Sequence, residues 1–296
     1  MDWRSVKFDW NRARAFLITA EEGSLSAAAR ALNMAQPTLG RQVTALEEEL
    51  GVVLFQRVGL GLVLTPCGEE LMDHVRAMGD AASRVTLAAA GQSQAIDGVI
   101  RITASEVVTA YQLPPILAKL RQTHPNIEIE LIATSHPSDL RKREADIAIR
   151  SFRPTQHDLI AKKIKDVPIG LYATKAYIES LDHPTSADQL QEACFIGFDR
   201  TDALMDALNS KGLKLTQNNF QVLTENHIVN WELVKAGMGI GVMPTDIGAA
   251  EPKVEQLLPE LDPIIAPMWL VSHRELNTSK RIRLVFDLLS EELAKL

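Results

Sequence analysis

The chain is poor in cysteine: only Cys67 and Cys194 occur in its 296 residues, and they do not form a CxxC pair. This excludes a small fold held together by disulfides and favours a reducing cytoplasm as the compartment. No run of about 18 apolar residues is present, as a membrane-spanning helix would require. Charged residues from Arg4 to Arg14 interrupt the N-terminal stretch, so we expect neither a secretory signal nor a membrane span.

Patterns typical of catalytic and metal sites are also missing. The seven histidines never occur in HxxH or HExxH spacing, and no GxSxG serine is present. The GMGIG run at positions 237–241 does not match GxGxxG, so we interpret it as a turn between a helix and a strand. Cys194 is expected to be a buried, inert thiol. A redox sensor would require a second cysteine nearby, and the other cysteine lies in a different predicted domain. We therefore expect no enzyme, no cofactor and no metal.

The chain lacks an excess of basic residues as well. Its formal net charge is −7, and residues 1–90 contain nine Lys or Arg against eleven Asp or Glu. Because affinity for nucleic acid rises with the number of phosphates neutralised, this balance argues against non-specific coating of DNA. Binding at one specific DNA sequence is still compatible with it, above all for an oligomer in which several weak contacts act together.

The most informative segment covers residues 24–49, SLSAAARALNMAQPTLGRQVTALEEE. Its apolar residues recur at helical spacing in two short stretches joined by a polar turn, and an earlier apolar stripe around Phe16 supplies a third helix. A helix-turn-helix, whose second helix enters the DNA major groove, fits this pattern, but so does a plain three-helix bundle. The last helix has an apolar stripe of Leu39, Val43, Leu46 and Leu50 and leaves Gln36, Thr38, Arg41 and Gln42 facing outward.

Local signals around these helices agree with one another. Gly23 is expected to end the first helix in the left-handed conformation, and Ser24 or Ser26 to cap the second. Pro37 suits the first turn of the third helix, where a missing N–H costs nothing. The runs VVLFQR and LVLT that follow Gly51 predict a β-hairpin with glycines at its tip.

A single long helix is predicted from Gly68 to about Ala90. Its apolar residues alternate in steps of four and three, which is the 3.5-residue period of a coiled coil. Two interpretations fit: the stripe packs on its own domain, or it pairs with the same helix of a second copy. Small residues in the stripe favour close pairing, so we expect a homodimer or homotetramer. The stripe consists of Leu71, Val75, Met78, Ala82, Val85 and Ala89.

After a polar link at residues 91–98, short apolar strands alternate with helices. The runs VIRITA, LPPILAKLRQTH, IEIELIA, SDLRKRE and DIAIR imply a parallel sheet with helices on both faces. The pattern restarts with IGLYAT, FIGF, FQVLT and GIGVMP, which predicts a second lobe. The run MWLVS and a helix over 279–296 are expected to return to the first lobe. Two crossovers, near Ile164 and Pro267, would make a hinged clamshell.

A ligand in such a sheet lies outside the carboxyl ends of the strands. Backbone N–H groups near Ser105 could hold an anionic group, whereas the charge of Glu106 would repel it and favours a cationic or neutral group. Both alternatives stay open. The residues that this rule selects are Ser105, Glu106, Thr134, Ser135, His136, Arg150, Phe198, Thr224 and His227.

The run FLITAEEGSLSAAARALNMAQPTLGRQVTALEEELGVVLFQR, followed by LTPCGEEL, resembles the LysR-type transcriptional regulators nearly position by position. The resemblance continues through ADIAIR, NWELVKAGMGIGVMP and MWLVSHR and so covers essentially the whole chain. It implies a winged helix-turn-helix in which Gln36 and Pro37 start the recognition helix. Arg41 would lie one turn further on, and Arg57 in the wing. It also implies that Thr65–Gly68 leads into a linker helix that forms the dimer interface.

Three positions depart from the family pattern. Ala35 stands where most members have serine before Gln-Pro, which removes an N-cap worth about 1 kcal/mol. Gly40 stands where serine usually precedes the arginine, and it adds about 0.5–1 kcal/mol of helix cost. Leu60 replaces a common arginine at the wing tip. Because these changes weaken contacts to the DNA backbone, we expect a single DNA-binding domain to bind weakly and the oligomer to matter more.

The sequence and the resemblance together predict an α/β protein in three parts. A winged helix-turn-helix DNA-binding domain occupies residues 1–66, and a long linker and dimerisation helix occupies 67–95. A two-lobed effector-binding domain like a periplasmic binding protein occupies 96–296. Its lobe I consists of residues 96–164 plus 267–296, and its lobe II of residues 165–266.

The expected function is sequence-specific transcription regulation modulated by a small-molecule effector. The expected partners are double-stranded operator DNA, the effector and further copies of the chain, while contact with RNA polymerase stays open. The alternative is a solute-binding protein or a small-molecule enzyme built on the clamshell alone. The residues expected to contact DNA are Gln36, Pro37, Thr38, Arg41, Gln42 and Arg57.

Overall fold

The computed structural model describes residues 7–58, 61–91, 95–135, 145–156 and 158–296. The chain divides into two compact units, an N-terminal unit Met1–Ala89 and a C-terminal unit Ala90–Leu296. The finer boundaries expected at residues 66 and 95, and those of the two lobes, remain predictions.

The described part of the N-terminal unit begins with three short helices, continues with an antiparallel β-hairpin and ends with a long helix. The hairpin pairs Phe55 with Leu64 and Val58 with Gly61, as expected from the sequence, although its predicted tip at Gly59 and Leu60 lies outside the described residues. The elements are α1 (Trp10–Glu22), α2 (Leu25–Ala31), α3 (Gln36–Leu50), β1 (Phe55–Val58), β2 (Gly61–Leu64) and α4 (Pro66–Gly91).

The ends of the first three helices follow from single residues. Gly23 ends α1 with φ 69°, a left-handed conformation that only glycine adopts without strain. The Ser24 hydroxyl accepts a hydrogen bond from the Ala27 N–H at 3.2 Å and so caps α2. Ala35 precedes α3 and provides no side-chain cap, while Pro37 lies in the first turn. These predictions are confirmed, and Ser24 rather than Ser26 is the cap.

The three helices enclose two neighbouring apolar clusters. The α3 stripe contributes to both, with the exception of Leu50, which is exposed where the helix ends. Phe16 is fully buried, and its ring centroid lies 5.4 Å from that of Phe55 on the hairpin, which joins the hairpin to the helices. The buried members are Ala13, Phe16, Leu17, Leu46, Leu54, Met72 and Val75 in one cluster and Ala15, Ala28, Ala29, Leu39 and Val43 in the other.

The long helix α4 has two halves of different character. In its first half Met72 and Val75 are buried in the core of the N-terminal unit. In its second half Ala82 and Ala89 are exposed, and Val85 is 71% exposed. The first half therefore packs on its own domain, while pairing of the exposed second half with another copy remains a prediction. No helix in the described ranges is both long and apolar enough to cross a lipid bilayer.

The junction between hairpin and α4 is fixed by Thr65 and Gly68. The Thr65 hydroxyl donates a hydrogen bond to the Val53 carbonyl at 2.7 Å and accepts one from the Gly68 N–H at 3.0 Å. A Cβ on Gly68 would lie 2.3 Å from the Leu54 carbonyl oxygen, closer than van der Waals contact permits. Only glycine therefore fits where α4 passes the strand.

The C-terminal unit is a mixed α/β structure. Its described strands are β3 (Gly98–Ala104), β4 (Ile127–Ala133), β5 (Ile147–Arg150), β6 (Leu159–Thr174), β7 (Ile196–Gly197), β8 (Val222–Leu223), β9 (Gly241–Pro244), β10 (Val254–Leu257) and β11 (Ile264–His273). Its described helices are α5 (Leu113–Thr123), α6 (Lys175–Ser180), α7 (Ala203–Asn209), α8 (His227–Lys235), α9 (Thr245–Ala250) and α10 (Lys280–Lys295), with a π-helical turn at Val108–Gln112 and 3₁₀ turns at Ala187–Leu190, Gln217–Asn219 and Arg274–Thr278. The helix predicted at 138–144 lies outside the described residues.

The pairing of the strands corrects the expectation of a parallel sheet. Strand β3 pairs in parallel with β4 and β5, as predicted, and β7 with β8. The remaining pairs among the described strands of this unit are antiparallel: β11 lies between β5 and β6, and β9 and β10 both pair with β6. The physical reason is that β6 extends over 16 residues, so the run IGLYAT continues an existing strand instead of starting a new βα unit.

The two predicted crossovers are adjacent, paired strands. Ile164 lies in the middle of β6, and Pro267 of β11 faces Asp166 of β6 in the register. Strand β6 pairs with β11 along Leu159–Ile169 and with β9 and β10 along its last residues, Ile169–Thr174. The register shifts between Met268 and Trp269, which marks a bulge in this pair. The long antiparallel pair of β6 and β11 therefore joins strands β3, β4 and β5 to strands β9 and β10.

Candidate functional site

The first candidate surface is the outward face of α3. Gln36, Pro37 and Thr38 are exposed in the first turn of the helix, and Arg41 and Gln42 lie in the next turn. The structure thus brings five of the six predicted DNA-contact residues together on one helix. This recognition face consists of Gln36, Pro37, Thr38, Arg41 and Gln42, all exposed except for the half-buried Gln42.

Arginine side chains on and near this face point to solvent. The Arg41 Nε donates a long hydrogen bond of 3.3 Å to the Pro37 carbonyl of the same helix. Arg57, the sixth predicted contact, is exposed on β1 and pairs with no carboxylate among the described residues. Among the described residues, Arg57 forms no ion pair with a glutamate of α1, and Glu21 of α1 pairs instead with Arg76 at 3.5 Å.

The acidic residues at the far end of α3 are engaged in the fold. The Glu47 carboxylate accepts hydrogen bonds from the backbone N–H groups of Leu54 at 2.7 Å and Phe55 at 3.3 Å. Glu49 forms an ion pair with Arg12 of α1. These contacts fasten the hairpin and α1 to α3 and direct two of the acidic groups away from the recognition face.

The second candidate site is a cavity of about 630 Å³ in the C-terminal unit. Its size is that of pockets that hold small organic ligands. Its lining includes residues at or just after the carboxyl ends of β3, β4 and β5, together with residues of β6, β9 and β11. The apolar part of the described wall includes Val108, Ile149, Phe152, Val167, Ile169, Phe198, Leu204, Val242, Met243, Ile264 and Met268.

Most of the predicted ligand-binding residues line this cavity. Glu106 does not line it, but its carboxylate accepts a hydrogen bond from Ser135, which does. Thr224 is not part of the wall, and its neighbour Glu225 lines the cavity in its place. His136 lies outside the described residues. The predicted residues that do line the cavity are Ser105, Thr134, Ser135, Arg150, Phe198 and His227.

Hydrogen bonds fix the corner of the cavity at the end of β3. The Ser135 hydroxyl donates to the Glu106 carboxylate at 2.5 Å, which joins the turn after β4 to the turn after β3. The Ser105 hydroxyl accepts from the Val108 N–H at 3.4 Å and so begins the helical segment that follows. Sequence reasoning placed these groups at neighbouring strand ends but did not predict their bond.

Two further polar residues of the cavity wall are Arg150, which is hydrogen-bonded, and His227, which packs on an aromatic ring. Arg150 is 7% exposed, and its guanidinium donates to the Thr103 hydroxyl at 3.1 Å and the Ile149 carbonyl at 3.3 Å. The His227 ring lies 4.4 Å from the Phe198 ring, centroid to centroid. Burial lowers the pKa of His227, and this outweighs the opposing charge of Glu106, so the imidazole is neutral at pH 7.

Gln112 is a cavity residue that the sequence pattern did not indicate. It is 3% exposed and lies at the end of the π-helical turn, and its amide donates to the Asp246 carboxylate at 2.8 Å. A π-helical turn inside a helix often accompanies a functional site. The only sequence signal is a polar residue immediately before the apolar LPPIL run, which is too common to single out.

Among the described residues, no group of three His, Cys, Asp or Glu side chains is arranged to hold a metal ion.

A helix-turn-helix unit joined to an α/β unit with an internal cavity defines the class of bacterial transcription regulators. Residues 10–69 match the family model of the bacterial regulatory helix-turn-helix protein, lysR family, and residues 93–294 match that of the LysR substrate binding domain. The chain therefore belongs to the LysR family. It is a transcription regulator and not an enzyme, as predicted.

Individual relatives agree with this assignment. The chain is 30% identical to the HTH-type transcriptional regulator GltR of Bacillus subtilis over 249 residues, which are 80% of each protein. It is 28% identical to the regulator ClcR of Pseudomonas putida over 247 residues, 81% of this chain and 83% of ClcR. The solved structure of CrgA from Neisseria meningitidis is 25% identical, with a TM-score of 0.60 over 97% of this chain and 99% of CrgA. The predicted family and α/β fold class are thus confirmed.

Proposed function

We propose that this LysR-type regulator binds an operator as a homo-oligomer and that a small-molecule effector in the cavity of the C-terminal unit modulates this binding. The cavity carries the proposal. It has the volume of a small ligand, a largely apolar wall and a few fixed polar groups, which is the usual make-up of a specific binding site. An effector regulates only if its affinity differs between two states of the protein.

Several observations support the DNA-binding half of the proposal. The recognition face lies on one helix whose other side is buried, so the orientation of its side chains is fixed by the core. Arg41 is exposed and has no carboxylate partner among the described residues, and arginine is the side chain most often used to read guanine. The exposed apolar half of α4 supports the oligomer, because a second copy would bury it. Contact with RNA polymerase remains a prediction.

A variant whose cavity is filled by a larger side chain tests whether an effector binds in this cavity. A panel of small organic acids, amines and amides is screened against the full chain for compounds that raise its melting temperature and change operator binding. A ligand at a hundredfold excess over its Kd stabilises the folded state by about 2.7 kcal/mol. We expect Ala207→Trp, which places an indole in the cavity, to abolish this stabilisation.

The matched control is Ala203→Trp, one turn earlier on α7, where the alanine is exposed and does not line the cavity. This variant should respond to the compound as the unmodified chain does. Equal stabilisation of Ala207→Trp and the unmodified chain would place the compound elsewhere and contradict the proposal.

Removing the Arg41 guanidinium tests the recognition face. Arg41→Ala is expected to weaken binding to the DNA upstream of the regulator's own gene by about 1–2 kcal/mol, because a base or phosphate contact is lost. Fluorescence anisotropy with labelled duplex at fixed salt measures the change. Arg14→Ala, which removes the same charge from an exposed position on α1, is the control and should change affinity little. An unchanged Kd for Arg41→Ala would remove this residue from the interface.

A further inference from the structure

We infer that the effector presents an N–H donor, an ammonium or an amide, and not a carboxylate, to the corner of the cavity where the Ser135 hydroxyl is bonded to Glu106. We call these two residues the acceptor corner. The inference rests on the proposed function, since it names the chemistry of the ligand in the same cavity. It also decides between the anionic and the cationic or neutral alternatives that the sequence leaves open.

The first step is the position of the Ser135 proton. The Ser135 Oγ lies 2.5 Å from the Glu106 Oε2, within the range of a hydroxyl bonded to an ionised carboxylate. An ionised carboxylate can only accept, so the serine hydroxyl must be the donor. A hydroxyl has one proton and two lone pairs. Ser135 lines the cavity with its single proton already used and therefore offers the ligand only lone pairs.

The second step is the charge of Glu106 next to Ser135. Glu106 lies in the first turn of the helical segment that follows β3, where an anion is favoured by the helix dipole. Its own carboxylate thus provides the negative charge that this helix start favours. A ligand carboxylate at the same place would meet the charge of Glu106 and the lone pairs of Ser135, and both interactions are repulsive. An N–H group would be attracted by both.

The third step is the remainder of the described wall. Asp199 and Glu225 are two acidic residues among its lining residues, against the one basic residue Arg150. The Asp199 carboxylate accepts from the N–H and hydroxyl of Thr201. The Arg150 guanidinium donates to Thr103 and Ile149, so both groups already have partners within the protein. The imidazole of His227 is neutral and adds no positive charge. Within the described part of the wall, the balance of charge therefore also favours a ligand that donates protons.

The rest of the cavity defines the rest of the ligand. Apolar side chains from four strands and two loops cover most of the wall, so the N–H group is expected to be attached to an apolar body of fragment size. Three probes share such a body and differ only at the end: phenethylamine, phenylacetamide and phenylacetate. The first carries an ammonium, the second a neutral amide and the third a carboxylate.

Calorimetric titration of the full chain with each probe tests the inference. We expect phenethylamine and phenylacetamide to bind at least about tenfold more tightly than phenylacetate. In Glu106→Gln the neutral side chain can accept from or donate to Ser135, so this preference should fall to less than about threefold. Glu225→Gln, which removes one charge from the same wall but not from the acceptor corner, is the matched control and should retain the preference.

The outcomes separate the inference from the proposed function. Binding of phenylacetate as tightly as phenethylamine overturns the inference, while the proposed function stands because the cavity still binds a ligand. Binding of none of the three probes also overturns the inference, and the wider panel with Ala207→Trp then decides the proposed function. An equal loss of preference in Glu106→Gln and Glu225→Gln would assign the effect to general acidity and overturn the role of the corner. Tighter binding of the amine than of the amide would assign an ammonium.

Discussion

Val85→Glu is expected to dissociate the oligomer and to reduce operator affinity by at least about 100-fold, because avidity multiplies the affinity of single DNA-binding units by two to four orders of magnitude. Val85 is the most exposed of the large apolar side chains on α4 whose burial the structure describes, and its neighbours on the stripe, Ala82 and Ala89, are exposed as well. If this stripe is the dimer interface, a glutamate there places two unpaired charges close together in an apolar seam. Sedimentation velocity measures the oligomer, and anisotropy measures the Kd for DNA.

The control for this variant is Ala77→Glu. Ala77 is exposed on the same helix, on the side away from the stripe, and a glutamate there adds the same charge with good helix propensity. It should leave both the oligomer and the DNA affinity nearly unchanged. A Val85→Glu chain that sediments and binds DNA like the Ala77→Glu chain would show that the exposed half of α4 is not the interface.

Gly68→Ala is expected to destabilise the N-terminal unit by about 3 kcal/mol, at the upper end of the range for overpacking. The added methyl group would lie 2.3 Å from the Leu54 carbonyl oxygen and 3.0 Å from a Leu64 methyl group. The first of these atoms belongs to the backbone, so relief requires the strand or the helix to move. Urea unfolding followed by circular dichroism measures the loss.

Gly40→Ala is the matched comparison in the same unit. Its Cβ would lie 3.8 Å from the nearest atom outside its own helix, a methyl group of Leu25, which is ordinary contact. Because Gly40 lies inside α3, alanine should stabilise the helix by about 0.5–1 kcal/mol. If both variants are destabilised to the same extent, the close approach at Gly68 is not the cause.

The N-terminal unit was predictable in detail because its determinants are local. The left-handed Gly23, the Ser24 cap and the missing cap at Ala35 each act within four residues of their partners. The apolar stripes of the helices required no knowledge of distant residues. The division of α4 into a packed and an exposed half was not predictable, because the same 3.5-residue period serves both.

The C-terminal unit was less predictable because its contacts join distant parts of the chain. Strand β6 pairs with β11 about a hundred residues later, and propensity does not specify the direction of such a pair. The rule on strand ends located Ser105, Thr134 and Arg150 correctly at the cavity wall. It missed Val167 and Met268, because these residues lie within the antiparallel strands that the sequence did not indicate.

The engagement of Glu47 with the start of β1 changes how the acidity of the N-terminal unit should be judged. Two backbone dipoles surround that carboxylate, and Arg12 offsets the neighbouring Glu49. The electric field that approaching phosphates meet depends on where uncompensated charge lies, and less on the formal total. On the proposed recognition face, Arg41 is exposed and has no carboxylate partner among the described residues, so an acidic polypeptide can still present local positive charge to a polyanion.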